Sequence, residues 1–92
     1  MLIKLVVGNK VHIVSKKMAH ATLALAINKY KSTKQNAIVG VQKGDMLVLL
    51  KDTFPTIAEL YKAVSDWEDG GYKCYHTKIA MEELDDGNKQ LR

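Results

Sequence analysis

The sequence of 92 residues holds one cysteine, one proline, one tryptophan, one phenylalanine and one arginine, and its first 44 residues hold no acid. The lone Cys74 excludes a disulfide framework within the chain and suits a reducing compartment. With Pro55 as the only proline and 47% of residues hydrophobic, intrinsic disorder is excluded too. No apolar run approaches the roughly 18–20 residues that span a bilayer. The opening Met1-Leu2-Ile3-Lys4 gains charge too early for a secretory leader. The expectation is a cytoplasmic protein with no membrane partner. Arg92 is the only arginine, so bidentate arginine reading of guanine edges is lacking and nucleic acid is a disfavoured partner.

The length allows one domain with a single core. We read residues 1–80 as one α/β domain and residues 81–92 as an acidic C-terminal tail. The net charge of +4 is unevenly spread. Residues 1–44 carry eight lysines and no acid, whereas residues 45–92 carry six basic and ten acidic groups, so the halves stand at +8 and −4. Such a split creates a field that attracts phosphates, nucleotides or nucleic acid. The lysines are scattered, and solubilising the first helix and its loops explains them equally well.

Leu2–Val7 reads as a buried strand, Gly8-Asn9 as a turn and Val11–Val14 as a short return strand. Ser15 stands where an N-cap belongs, ahead of good helix formers from Lys16 to about Tyr30. Two stripes run along that helix: Met18, Thr22, Leu25 and Lys29, then Ala19, Leu23, Ile27 and Tyr30. After a polar loop, Ala37–Val41 and Met46–Leu50 flank a tight turn, and Leu47-Val48-Leu49-Leu50 reads as a central strand covered on both faces. Thr53 or Thr56 caps a second helix, with Thr56 and Glu59 at capping-box spacing. Ile57, Leu60, Tyr61, Val64 and Trp67 share its apolar face, and Gly70-Gly71 ends it. Tyr72–Ile79 is a last strand, parallel to Met46–Leu50 through a crossover. The class is an α/β sandwich of two or three layers, built on a small mixed sheet of about four strands with two helices.

Three places could carry chemistry. Ser15-Lys16-Lys17, with His20 one turn on, offers free amides, a positive helix end and two cations to an anion. A plain solvated surface also carries such lysines, and a packed, hydrogen-bonded histidine is the ordinary role for His20. Thr53 and Thr56 lie in the segment leaving the carboxyl end of the central strand, where α/β sheets hold ligands; capping alone also explains them. Trp67, Tyr72 and Tyr75 could stack nucleobases or simply fill the core. His12, His20, His76 and Cys74 lack ligand spacing, so neither metal nor cofactor is expected. Cys74 reads as a small buried hydrophobe.

The run Lys16-Lys17-Met18-Ala19-His20-Ala21-Thr22 resembles the first helix of the second type of peptidyl-tRNA hydrolase, and the later order of elements to about residue 80 is similar. The resemblance implies a peptidyl-tRNA-hydrolase-like fold. It does not carry the activity: Ile13 stands where the family's catalytic lysine would fall, and His76-Thr77-Lys78-Ile79 replaces its Gln-Asp-Ala-Gly. In size and charge the chain also looks like small viral, anti-CBASS sponge proteins, oligomers that sequester cyclic dinucleotide immune signals; a viral source would place it in the host-cell cytoplasm. These observations lead us to expect a non-catalytic homo-oligomer, dimer or tetramer. Its ligand would be a phosphate-bearing small molecule, foremost a cyclic dinucleotide, held by Ser15, Lys16, Lys17, His20, Thr53 and Thr56. A diverged peptidyl-tRNA hydrolase, an RNA-binding protein and a protein–protein inhibitor remain the alternatives.

Overall fold

The computed structural model describes residues 1–79, so the tail at 81–92 lies outside the described residues. The chain runs β1 (Leu2–Val7), β2 (Lys10–Ser15), α1 (Lys16–Ser32), β3 (Asn36–Lys43), β4 (Met46–Phe54), α2 (Ile57–Asp69) and β5 (Lys73–His76). The strands form one mixed sheet in the order β2-β1-β4-β3-β5. It has five strands rather than about four, because the return strand pairs with β1 along its whole length, from Leu2 against Ser15 to Val7 against Lys10. Both hairpins turn on two residues, Gly8-Asn9 and Gly44-Asp45, with the glycine first at φ +63° and +62°. A left-handed first position strains any residue with a Cβ, which is why glycine marks each turn.

β1 and β4 are parallel, and β3 is antiparallel to both β4 and β5. β4 and β5 therefore run the same way with β3 between them, as the crossover pattern predicts. β2 and β3 are likewise parallel, joined through α1. The two helices lie on opposite faces, giving three layers. Ala19, Leu23 and Ile27 of α1 close over Ile3, Leu5, Ala37, Val39, Leu47 and Tyr75. Leu60 and Val64 of α2 close over Ile38, Val41 and Cys74.

Of the two stripes on α1, the sheet takes the second; Met18 and Leu25 of the first are 58% and 73% exposed. Ala19 is a small residue that lets the helix lie close to the sheet. On α2 the buried face is narrower than its apolar pattern, since Ile57 and Tyr61 remain about half exposed. β4 runs four residues further than expected, to Phe54, because Thr53 and Phe54 continue the ladder against Ala37 and Asn36. The helix cap is thus Thr56 and not Thr53: Glu59 N donates to Thr56 Oγ1 over 3.2 Å. The last strand, conversely, is shorter than Tyr72–Ile79. No helix of the described residues is long and apolar enough to cross a membrane.

Candidate functional site

The two ends of the sheet differ, and the difference decides which predicted residues can act together. At the near end β1 and β4 begin, β2 and β3 finish, and α1 starts. At the far end β4 finishes and α2 starts. Ser15 belongs to the near end, opposite Leu2 and joined there by the bond from Lys16 N to Met1 O (3.1 Å). Thr53 belongs to the far end. Leu2 precedes Lys4 by two residues, Lys4 pairs with Met46, and Thr53 follows Met46 by seven. At about 3.3 Å per residue, Ser15 and Thr53 are on the order of 30 Å apart along the strands. Thr56 lies beyond Thr53 and begins the helix on the opposite face. No small molecule bridges these groups within one protomer, so the six expected residues do not form one pocket. The hydroxyls of Ser15 and Thr56 are engaged as caps, Ser15 Oγ accepting from Met18 N at 3.1 Å.

Lys16, Lys17 and His20 do come together. Lys16 and Lys17 stand four and three residues before His20, so each neighbours His20 on the first turns of α1. Lys16 and His20 are half-buried and Lys17 is exposed. Nothing acidic stands in that first turn. Towards the sheet, the His20 ring lies 6.1 Å from the Tyr75 ring. The Tyr75 hydroxyl donates to Gln42 Oε1 at 2.8 Å, and Lys73 Nζ lies 5.3 Å from the centre of the same ring. His20, Tyr75, Gln42 and Lys73 thus extend the cationic start of α1 into a polar cluster on the near end of the α1 face. Sequence reading missed Gln42 and Lys73; the alternation of β5, which puts Lys73 and Tyr75 on one face, was the available signal.

Other near-end charges have structural work. Lys43 Nζ donates to Gly70 O at 3.3 Å and lies over the Tyr72 ring, neutralising the negative end of α2. Asp45 also stands at this end, where its backbone carbonyl accepts from Lys4 N, so the near end is not wholly free of acid. Of the three aromatic residues that could stack nucleobases, Trp67 and Tyr72 are half-buried. Tyr75 is buried, and Trp67 packs edge-on against Tyr72 in the α2 layer.

Ile13 is an exposed residue of the outermost strand. Its cross-strand partner on β1 is Lys4. Among the described residues no three His, Cys, Asp or Glu are grouped to hold a metal ion.

Cys74 is buried as expected, and burial, with Glu68 nearby, pushes its thiol up from 9.0 to about 11. Its S–H donates to Val64 O, which also favours the protonated form. Between about pH 9 and 11 the unfolded thiol ionises while the folded one stays protonated, so stability falls with rising pH across that window. In native protein at pH 8 a thiol-specific reagent should therefore react only as fast as the chain opens. Labelling in seconds without denaturant would contradict this burial.

Set beside protein-family models, curated proteins and solved structures, the chain matches none of them. The likeness to peptidyl-tRNA hydrolase rests on sequence alone.

Proposed function

We propose that the protein binds and sequesters a phosphate-bearing small molecule without chemical turnover, with a cyclic dinucleotide the leading ligand. The anion would sit at the start of α1, against Lys16 and Lys17 and the positive helix end, with His20 and Lys73 at the margin; the Lys16 and Met18 amides there are already held by Met1 O and Ser15 Oγ. The observation that carries this reading is a doubly cationic first turn of α1, with no acid among its own residues, beside the His20–Tyr75–Gln42–Lys73 cluster. Lysines at a helix start oppose the helix dipole by about 0.3–1 kcal/mol each, a local cost that a working site justifies. Thr53 and Thr56 drop out of the ligand set. A homo-oligomer would bring a second such site to a ligand with two phosphates.

Calorimetric titration with inorganic phosphate, mononucleotides and cyclic dinucleotides tests the reading. Binding should rise from phosphate to cyclic dinucleotide, and each ligand should be recovered intact. Heat from none of them at millimolar ligand would end the proposal; hydrolysed ligand would overturn its non-catalytic part.

A further inference from the structure

Among the described residues, the α2 face of the sheet is only partly covered. α2 packs on β3, β4 and β5, and the cluster beneath it contains no residue of β1 or β2. Side chains alternate along those two strands. Ile3, Leu5 and Val14 meet α1, so Leu2, Lys4 and Val6, with Val11 and Ile13 beside them on β2, face the α2 side. Leu2, Val11 and Ile13 are 63%, 60% and 59% exposed, and Lys4, paired with Ile13, is exposed in their midst. Two strands side by side are about 10 Å across, the width of one helix. The bare strip has room for one more amphipathic segment alongside α2.

Charge selects the occupant. Face-to-face contact between two such strips would bring one Lys4 onto another with no acid from β1 or β2 between them. The strip calls for apolar groups accompanied by carboxylates. Residues 80–92 have that composition: Met81 and Leu84 stand three apart among Glu82, Glu83, Asp85 and Asp86. Met81 cannot reach the strip of its own chain. Ile79 packs on the α1 side, next to the β5 edge, and β5 is three strands from β1. That is about 14 Å of sheet to cross before changing faces, whereas Met81 reaches at most about 7 Å from Ile79.

We propose that residues 80–92 of a second copy dock on the strip formed by β1 and β2. Met81 and Leu84 cover Leu2, Val11 and Ile13, and a carboxylate meets Lys4. The exchange is reciprocal in a two-fold dimer. It is independent of the ligand site, because neither Lys16 nor Lys17 takes part.

Sedimentation of the full-length chain tests it. Wild type should be dimeric at about 50 μM, and Lys4→Glu, Ile13→Asp, or Glu82→Lys with Glu83→Lys should each raise the dimer Kd about tenfold or more. Lys4 and Ile13 are exposed, so replacing them leaves the core intact, and unchanged circular dichroism would verify a native fold for every variant. Mixing the Lys4→Glu chain with the Glu82→Lys, Glu83→Lys chain pairs opposite charges at both docks and should restore the dimer. A monomeric wild type, a dimer indifferent to Lys4→Glu, or a failed charge-swap rescue would each overturn the exchange.

Discussion

Replacing Leu23 by alanine is expected to remove about 2–5 kcal/mol of stability, because its side chain is fully buried where α1 crosses the sheet. A chain of this length holds roughly 5–15 kcal/mol in all, so the thermal midpoint should fall by about 10 °C or more. Gly40 lies under the same side chain. A Cβ there would stand 2.7 Å from Leu23 Cδ2, 3.4 Å from the Val48 carbonyl oxygen and 3.5 Å from Leu47 Cδ1. Gly40→Ala alone should therefore overpack the interface and cost about 1–3 kcal/mol. Combined, the two changes should cost less than their sum, since the new methyl group occupies space that Leu23 vacates. A coupling of about 0.5–1 kcal/mol or more in urea unfolding is the expected result. Strict additivity would mean that the Val48 carbonyl, and not Leu23, limits what position 40 accepts.

Local signals in the sequence were sufficient for most elements because their causes are local. Ser15 caps α1 through its own hydroxyl, Thr56 and Glu59 mark the start of α2, and a glycine opens each hairpin turn. Which stripe of α1 is buried was not legible, since both carry apolar residues and only the sheet distinguishes them. The site failed for a topological reason. A helix that directly follows a parallel strand starts at that strand's carboxyl end, beside the usual ligand crevice. Here β2 first turns the chain back, so α1 starts at the amino end of β1, and the residues at the end of β4 lie far away. The contacts of Tyr75 with His20 and Gln42 join residues 55 and 33 positions apart in the chain, a pairing that no short motif records.

Lys16→Glu together with Lys17→Glu is expected to weaken cyclic dinucleotide binding by several-fold to more than a hundredfold, about 1–3 kcal/mol. The control is Lys31→Glu with Lys34→Glu, which changes net charge equally at the other end of α1. Seventeen helical residues separate the two ends, about 25 Å at 1.5 Å per residue. That exceeds two Debye lengths of about 8–10 Å at ordinary salt, so the control should lose little affinity. Stability should move in the opposite sense. Acids at the start of α1 suit its dipole and acids at its end oppose it, by about 0.3–1 kcal/mol per charge. The pair that loses affinity should thus melt no earlier than wild type, which separates loss of a site from loss of the fold. Thr53→Ala and Thr56→Ala should leave affinity unchanged, since both lie at the far end; Thr56→Ala should still lower stability by about 1 kcal/mol through the lost cap. Equal affinity losses from the two lysine pairs would mean that a diffuse field alone attracts the ligand, and the site at the start of α1 would have to be abandoned.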